Sequence, residues 1–425
     1  MPKVKVIINF QKQSRIPFNV LVGAIHSRIK DSDLEIAIAY KAHQMATFLS
    51  EVEPEGKILV LWSFYSPQFA KIAGELSNLQ NRYHSEKIIH LAGGVHASAE
   101  PLQTLQAGFD YVAVGEGEQI IVDVIRALLE DKPLNSVKGL ASLTIEQQLK
   151  RNGRGELVEL DDYPPFAPAY KLFGSIEITR GCIYACKFCQ TPYISKARFR
   201  HRSIENIAQY AGIMRRHGYR DYRFISPTAF SYGSQDESVN LDAVENLLAS
   251  VRNAVGSEAR IFYGTFPSEI RPEHISQSAL RILKKYVDND NLIIGGQSGS
   301  QQILNMSKRG HSVEVIQQAV NICLKEGFVP NVDFLFGLPG ETKEDVKKTM
   351  ALAQTLTDLG ARIHTHTFMP LPGTPFQHSD AGSINKPTRV ALTELEAQGK
   401  AYGKWKSQLR TAKELVELRR QSSGE

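Results

Sequence analysis

Three of the chain's four cysteines, Cys182, Cys186 and Cys189, stand within eight residues and form the pattern C-x3-C-x2-C. Thiolates are soft ligands that suit zinc and iron–sulfur clusters. A structural zinc site usually takes four protein ligands, and the remaining cysteine, Cys323, lies in a helical pattern whose neighbours indicate core. The spacing therefore favours a cube-shaped cluster with one iron left open. A zinc knuckle completed by a histidine such as His201 is the alternative.

The cysteine loop directly follows a predicted strand. Strand and helix patterns alternate in two regions of the chain, and the cysteine loop lies in the second of them. In residues 1–130, strands separated by helices favour a doubly wound parallel sheet. Ligands of such sheets bind beyond the C-terminal strand ends. The loops expected at that edge are Ser63–Pro67, Gly93–Ser98 and Gly115–Glu118.

The remaining residues predict a connector, a barrel and a tail. Residues 131–174 indicate a connector with a small hairpin, whose strands are expected at Gly139–Ile145 and Glu156–Leu160. Six strand–helix units over 175–380 predict a partial (β/α)6 barrel. The fold class is thus α/β, with two parallel-sheet domains and a C-terminal helix.

The tail, residues 381–425, carries the charge surplus of the chain. Between Lys386 and Arg420 there are nine Lys and Arg against four Glu, a surplus equal to the net charge of +5 for the whole chain. Helical spacing of its apolar residues predicts an amphipathic helix packed on the barrel. A basic helix that binds a partner or nucleic acid is the less favoured alternative.

Composition excludes several classes of protein. Of 425 residues, 42% are hydrophobic and 22% charged, which excludes intrinsically disordered and collagen-like chains. The crowding of the cysteines excludes a secreted disulfide scaffold. The N-terminus has no signal-peptide pattern, and no run approaches the ~20 apolar residues of a spanning helix. We therefore expect no membrane span and a cytoplasmic location.

The cysteine pattern resembles that of the radical S-adenosylmethionine (SAM) superfamily, including an aromatic residue, Phe188, before the last cysteine. In that family three cysteines hold a [4Fe–4S] cluster, and SAM chelates the fourth iron through its amino and carboxylate groups. Reduction then yields a 5′-deoxyadenosyl radical. The resemblance implies a cluster on Cys182, Cys186 and Cys189, SAM as cosubstrate, and an electron donor such as flavodoxin or ferredoxin.

Later strand ends carry further resemblances. The segment I-G-G-Q-S-G-S, the stretch N-M-S-K-R-G-H and the turn G-L-P-G-E-T resemble cosubstrate-binding segments of related enzymes, methylthiotransferases among them. Each glycine-rich turn alone is equally consistent with simple turn chemistry. The resemblance assigns SAM contacts to Gln297, Ser298, Arg309, Gly337 and Gly340, with Arg309 expected to pair with the SAM carboxylate.

One family motif is missing. Many members carry G-G-E after the second barrel strand, whereas this strand is followed by Ser226 and Thr228, whose hydroxyls are the expected substitutes. Glu269, at the next strand end, is expected to make polar contacts in the site, to pair with Arg271, or to face solvent.

No catalytic residue is assigned, because the substrate is unknown. Tyr263, His364 and His366 are candidates for radical chemistry in the barrel, but they alternate with apolar neighbours and are equally consistent with ordinary strand positions.

The first domain resembles the cobalamin-binding domain that precedes many radical SAM barrels, through G-G-x-H-A-S and G-x-G-E motifs at Gly93, Gly94, Gly115 and Glu116. Glycines there would let a corrin ring approach the backbone. None of the twelve histidines has an aspartate two residues before it, so the D-x-H-x-x-G signature is absent. His96 is expected to make loop hydrogen bonds rather than to ligate cobalt. A scaffold without a cofactor is the alternative.

The resemblance therefore implies a radical SAM enzyme with an N-terminal cobalamin-binding-like domain, which methylates or otherwise modifies an unknown substrate. Methylthiolation of tRNA or protein is a second hypothesis. Those enzymes usually carry further N-terminal cysteines, and none precedes Cys182 here. A cobalamin- or redox-sensing protein with a structural cluster is the third.

Overall fold

A computed structural model describes residues 2–50 and 56–423 of the chain. The chain divides into two units, with the boundary between Gly174 and Ser175. Both units are built mainly from parallel strands connected by helices.

The described residues of the first unit, 2–50 and 56–174, form seven strands and six helices. The strands are β1 (Val4–Asn9), β2 (Leu34–Ala39), β3 (Lys57–Ser63), β4 (Ile88–Gly93), β5 (Tyr111–Ala113), β6 (Leu140–Leu143) and β7 (Leu149–Arg151). The helices are α1 (Arg15–Arg28), α2 (Ala42–Ser50), α3 (Phe69–Arg82), α4 (Val95–Ala99), α5 (Pro101–Gln106) and α6 (Gly117–Leu129).

One sheet of order β2-β1-β3-β4-β5-β6-β7 forms the centre of this unit. Strands β1 to β5 are parallel, and β6 and β7 are antiparallel to their neighbours. Side chains alternate along a strand, so Val6 and Ile8 pack in one core while Ile7 packs in the other. The predicted doubly wound sheet is confirmed, with its order reversing between β1 and β3.

Two local expectations in this unit are wrong. The hairpin partner of β6 is β7 rather than Glu156–Leu160, and the hairpin extends the sheet instead of linking two domains. A turn closed by Thr144 and Gln148 brings β7 back early. The residue pattern of Ala99–Gly108 also predicts a single helix, whereas the structure has two helices here, α4 and α5, because Pro101 starts a new helix and cannot continue the old one.

The second unit contains nine strands and nine helices among its described residues. The strands are β8 (Ile176–Glu177), β9 (Thr179–Arg180), β10 (Arg200–His201), β11 (Asp221–Ile225), β12 (Arg260–Phe262), β13 (Asn291–Gln297), β14 (Val329–Phe336), β15 (Arg362–Thr367) and β16 (Ala401–Gly403). The helices are α7 (Thr191–Ile194), α8 (Ile204–Arg216), α9 (Leu241–Val255), α10 (Gln277–Tyr286), α11 (Gln301–Met306), α12 (Val313–Lys325), α13 (Lys343–Leu359), α14 (Lys386–Ala397) and α15 (Trp405–Ser423).

Parallel strands form an arc in this unit. Strands β8, β11 and β12 make one sheet, and β13 to β16 make another. A bridge between Ile270 and Ile294, and a 2.9 Å hydrogen bond from the backbone of Ile293 to Gly264, connect the two sheets. The arrangement is the predicted partial barrel, with β16 as an additional short strand.

Six helices of the second unit begin at a residue whose side chain accepts a hydrogen bond from the helix backbone, which satisfies one of the free N–H groups of the first turn. These capping residues are Ser203, Asn240, Ser276, Ser312, Thr342 and Asn385. Such capping residues mark the starts of helices in a sequence.

The tail differs from the single helix expected. It forms α14, the strand β16 and α15, because Gly399 adopts a left-handed conformation that ends the first helix. Leu392, Leu395 and Trp405 pack in the same core as Ile363 of β15. The tail helices thus pack on the barrel, as the favoured interpretation predicted. Within the described residues, no helix has the length and apolarity needed to cross a membrane.

Candidate active site

A hairpin holds the three cysteines. Strands β9 and β10 pair in antiparallel fashion, with Arg180 opposite Arg200, so residues 181–199 form the loop between them. Gly181 starts this loop with φ of +81°, and a Cβ atom there would lie 2.0 Å from the carbonyl oxygen of Arg198. Only glycine fits this position, so the backbone fixes where Cys182 begins.

The cysteine side chains are in an apolar pocket. Cys182 and Cys186 are buried and Cys189 is half-buried, and they pack with Tyr184 and Phe199. Burial raises the pKa of Cys182 to about 12 and also raises that of Cys189. Positive charge at this place, from a metal or a cation, would be needed to stabilise the thiolates that bind metal.

Two buried arginines supply positive charge at Cys186. Arg309 donates to its Sγ from Nη1 at 3.3 Å, and Nη1 of Arg271 lies 4.0 Å from the same sulfur. Arg271 also stacks 3.6 Å from the ring centroid of Tyr184 and forms an ion pair with Glu273. Its partner is therefore Glu273 and not Glu269.

The donor set fits a cluster with three protein ligands. Cys323 is fully buried on α12. Both ring nitrogens of His201 make hydrogen bonds inside the protein, Nδ1 with Thr179 at 3.0 Å and Nε2 with the carbonyl oxygen of Ser234 at 2.7 Å. Neither residue is available as a fourth ligand, so the zinc-knuckle alternative has no support from His201.

Three residues that the sequence analysis named for the site, Arg309, Gln297 and Glu269, lie close together at the end of β13. A Cβ at Gly295 would lie 2.9 Å from Arg309 Nη2, 3.0 Å from Gln297 Nε2 and 3.4 Å from Glu269 Oε2. The missing side chain of Gly295 therefore leaves the space in which these groups converge. Ser298 does not belong to this group, because its hydroxyl contacts the hydroxyl of Thr349 at 3.3 Å and accepts a hydrogen bond from the backbone N–H of Ser300.

Hydroxyl groups follow β11 and β12, where the G-G-E motif is absent. Ser226 donates to the carbonyl oxygen of Thr228 at 2.7 Å, so its proton is used locally. The buried hydroxyls of Thr228, Ser231 and Ser268 have no protein partner among the described residues. A hydrogen bond from Ala229 to the backbone of Glu269 joins the two loops. Unpaired buried hydroxyls are costly, and a polar ligand would satisfy them.

Gly337 and Gly340 form the turn after β14, both with left-handed φ values. The backbone N–H of Gly337 donates to Glu341 Oε2 at 2.6 Å, whereas Oε1 of Glu341 has no partner among the described residues. Burial raises the pKa of Glu341 to about 7. The turn chemistry explains the glycines here without reference to a ligand.

The three candidates for radical chemistry separate into two environments. Tyr263 is fully buried and donates to the carbonyl oxygen of Ala229 at 2.7 Å, which removes it from the solvent-accessible interior. His364 and His366 lie side by side on β15, and His364 contacts Asp333 at 2.8 Å. Asp333 was missed by sequence reasoning, although a carboxylate in the buried apolar strand β14 is a recognisable signal.

A second group of missed contacts supports the cysteine loop from the end of the barrel. Gln190 donates to the carbonyl oxygen of Pro372 at 2.8 Å, and the backbone of Phe376 donates to Lys187 at 3.3 Å. Phe188 packs with Phe368 and Phe376. The aromatic residue of the cysteine pattern thus anchors the loop to the segment after β15.

In the first unit, the three expected loops meet at one sheet edge. A Cβ at Gly94, where φ is +91°, would lie 3.0 Å from Ser63 Oγ and 3.1 Å from the carbonyl oxygen of Phe64. Gly93 ends β4, and the backbone of Gly115 donates to Ser98 at 3.0 Å.

Two polar residues at this edge are held by their own unit. The carboxylate of Glu116 accepts from the backbone of Val158 at 2.8 Å, so it is not free toward a ligand. His96 is buried, stacks on Phe69 and hydrogen-bonds Ser66 at 3.1 Å, as a loop role predicts.

Residues 176–353 match the family model of the radical SAM superfamily. The barrel unit belongs to this superfamily. The chain is 31% identical over 179 residues to a tRNA-2-methylthio-N(6)-dimethylallyladenosine synthase of Finegoldia magna, covering 42% of the chain and 37% of that protein. It is 26% identical over 234 residues to the corresponding synthase of a Psychrobacter species, covering 54% and 46%. The chain thus spans about half or less of these curated relatives.

Two solved radical SAM structures resemble the fold of both units. The methyltransferase TsrM of Kitasatospora setae, solved with cobalamin and a [4Fe–4S] cluster, has a TM-score of 0.70 at 17% identity and covers 88% of this chain and 74% of its own. The cobalamin-dependent enzyme OxsB, with aqua-cobalamin bound, has a TM-score of 0.64 at 17% identity and covers 83% and 52%. At this identity the likeness concerns the fold alone.

Proposed function

We propose that this radical SAM protein holds a [4Fe–4S] cluster on Cys182, Cys186 and Cys189, cleaves SAM, and uses cobalamin bound by its first unit to methylate a substrate that is not yet identified. The observation that carries the first part is the cysteine loop itself, with three thiols on one hairpin and two buried guanidinium groups at Cys186.

When bound, such a cluster supplies the electron that cleaves SAM and so generates a 5′-deoxyadenosyl radical for hydrogen abstraction. The chain's own residues bind and orient. Arg271 and Arg309 place positive charge against one thiolate, which favours the more negative, reduced state of whatever the cysteines hold. A one-electron donor such as flavodoxin or ferredoxin would supply the electron.

Arg309 has the donors needed for a carboxylate. A guanidinium group has five N–H donors. Three contacts in the structure use one nitrogen each: Nη1 with Cys186, Nη2 with the carbonyl oxygen of Gly295 at 2.6 Å, and Nε with His311 at 3.3 Å. Each terminal nitrogen retains a second N–H, which suits the carboxylate of SAM. Gln297 and the free hydroxyls of Thr228, Ser231 and Ser268 would bind its other polar groups.

Cobalamin binding rests on the fold of the first unit and on its glycine-lined sheet edge. TsrM and OxsB, which share the fold of both units, were solved with cobalamin. Gly93, Gly94 and Gly115 keep side chains away from the loops after β4 and β5. Because His96 is buried and engaged with Ser66, we propose a cobalamin without a histidine ligand from this loop.

The test is anaerobic purification and reconstitution of the full chain, with measurement of iron, sulfide and cobalt, followed by reduction with SAM present. We expect cluster absorbance and formation of 5′-deoxyadenosine. The triple variant Cys182/Cys186/Cys189→Ala should lose both, and Cys323→Ala, which removes the remaining thiol, should keep both. Formation of 5′-deoxyadenosine by the triple variant would contradict the proposal. Cobalt retained after gel filtration supports the methylation step, and its absence contradicts that step alone.

Methylthiolation is a second candidate, because the curated relatives quoted above are tRNA methylthiotransferases. The two reactions differ in the product, since only methylthiolation inserts sulfur. Reaction with SAM carrying a labelled methyl group, followed by mass analysis of tRNA, would separate them. Salt-dependent RNA binding that is lost on truncation after Pro387 would support a nucleic-acid substrate.

A further inference from the structure

We propose that Asp333, His364 and His366 form a second metal site, for a divalent transition ion such as zinc or iron(II), inside the barrel and separate from the cysteine loop. One carboxylate and two imidazoles are a ligand set that suits these ions. The proposal goes beyond the cluster and cobalamin chemistry described above.

The strands bring the three side chains to one face. In β14, Val332, Phe334 and Phe336 pack toward the helices, so Asp333 lies on the opposite, inner face. In β15, Ile363 packs toward the helices, which places His364 and His366 on the inner face as well. Asp333 pairs in register with His364, and Leu335 with His366.

The ligand atoms converge on one point. Asp333 Oδ1 lies 2.8 Å from His364 Nδ1, and His366 Nε2 lies 3.2 Å from the same nitrogen. All three atoms lie within 4.8 Å of one another. Ligands about 2.0–2.1 Å from a tetrahedral ion are about 3.3 Å apart. The two distances at His364 Nδ1 therefore need to lengthen only slightly to admit an ion.

Neighbouring side chains contact two of the three proposed ligands, His364 and Asp333. The ring of His364 stacks on Tyr402 of β16, with centroids 4.5 Å apart and an angle of 13° between planes. The carboxyl group of Glu269 is a neighbour of Asp333, so a second carboxyl group borders the site. Three protein ligands would leave a coordination position for water or for an oxygen or nitrogen atom of the substrate.

Gln408 of α15 contacts Nδ1 of His366, the ring nitrogen that the proposed ion does not use. Its Oε1 accepts from the backbone of Thr367 at 3.0 Å, and its Nε2 faces His366 Nδ1 at 3.3 Å. An ion on Nε2 of a neutral ring leaves the proton on Nδ1, which then needs an acceptor. Gln408→Glu would supply one oxygen to Thr367 and one to Nδ1, as in carboxylate–histidine–metal arrangements.

The experiment uses the full chain in two forms. In the reconstituted protein, elemental analysis after dialysis against zinc-free buffer should find one zinc per chain in addition to the cluster iron. In the triple variant Cys182/Cys186/Cys189→Ser, which lacks the three proposed cluster ligands, titration with Co²⁺ should give visible d–d bands. The second form separates this site from the cluster, so failure of either proposal is recognised independently.

Loss of a direct ligand should weaken binding at least as much as loss of a supporting residue, about 10–100-fold. We expect this for Asp333→Asn, His364→Ala and His366→Ala, and no change for His43→Ala at an exposed position. Gln408→Glu should tighten binding, a gain that misfolding cannot imitate. Absence of bound zinc and cobalt from the parent proteins, or binding that is unchanged in all three ligand variants, would overturn the proposal.

Discussion

Arg309 donates a hydrogen bond to the sulfur of Cys186 across 3.3 Å, although the two residues are 123 positions apart. The same guanidinium group donates to the carbonyl oxygen of Gly295 at the end of β13. One buried side chain thus joins the cysteine loop to the strand end at which Gln297 and Glu269 converge. A change at Arg309 should therefore affect two properties that can be measured separately.

The first prediction separates the charge of Arg309 from its shape. Arg309→Gln removes the positive charge and should lower the midpoint potential of the cluster, because the reduced state loses a stabilising cation. Arg309→Lys keeps the charge and should change the potential less. Both lose the guanidinium fork, and since hydrogen bonds to charged groups contribute about 1.5–3 kcal/mol, SAM affinity should fall about 10–100-fold. Redox titration and equilibrium SAM binding are the measurements.

The control for this pair is Arg260→Lys, at an exposed arginine that pairs with Asp221 on the surface of the same unit. It should alter neither property. Unchanged SAM affinity in Arg309→Lys would contradict the assignment of the SAM carboxylate to Arg309, and an unchanged potential in Arg309→Gln would contradict its electrostatic role.

The second prediction concerns the start of the cysteine loop. Gly181→Ala would place a Cβ 2.0 Å from the carbonyl oxygen of Arg198 in a left-handed backbone, so the hairpin must shift. We expect loss of most cluster iron after reconstitution. Gly218→Ala is the matched control, because its φ of +83° is similar but nothing lies within 4 Å of its Cβ. Equal iron content in the two variants would show that the loop tolerates the shift.

The sequence predicted the elements of the barrel well because local signals define them. The sequence pattern predicts a strand over Val329–Phe336 and helices over Leu241–Val255 and Gln277–Tyr286, and these are the bounds of β14, α9 and α10. Apolar runs and helix caps are local signals that can be recognised from neighbouring residues. The same local signals failed at Glu156–Leu160, where an alternating pattern forms no strand. Nothing in the pattern showed that β6 would pair with Leu149–Arg151 first.

The site was predictable only in part. The cysteines share one short segment, so their spacing can be recognised from the sequence alone. The contact of Arg271 with Cys186 depends on how distant loops meet, and no spacing encodes it. The group of Asp333 with His364 needed the register of β14 and β15, which the sequence does not specify. His364 and His366 could be named as candidates because the strand pattern puts both on one face.

The third prediction concerns the glycine edge of the first unit. Gly94→Ala would bring a Cβ to 3.0 Å from Ser63 Oγ and within 3.1 and 3.2 Å of the backbone of Phe64. The loop after β4 must then move, and cobalamin retained per chain should fall. Gly74→Ala, with nothing within 4 Å, is the control. If Gly94→Ala binds cobalamin as the parent does, the corrin site lies elsewhere.

The fourth prediction uses the pH dependence of stability in the first unit. His90 is buried in β4 and accepts a hydrogen bond from Trp62 Nε1 at 3.2 Å. Burial lowers the pKa of His90 from 6.5 to about 4. The unfolded chain therefore binds a proton that the folded unit excludes, so this contribution to stability is complete above pH 6.5 and is lost as the pH falls toward 4. At pH 5 the loss from this group should be about 2 kcal/mol.

His90→Asn tests this argument, because its amide oxygen can accept from Trp62 and does not titrate. Denaturant unfolding followed by Trp62 fluorescence in a Trp405→Phe background reports the first unit, since these are the two tryptophans of the chain. Between pH 7.5 and 5 the variant should lose about 2 kcal/mol less than the parent. His43→Asn, which removes no buried imidazole, should follow the parent. Parallel pH profiles for His90→Asn and the parent would mean that His90 becomes protonated without unfolding, and that the hydrogen bond from Trp62 does not hold its ring neutral.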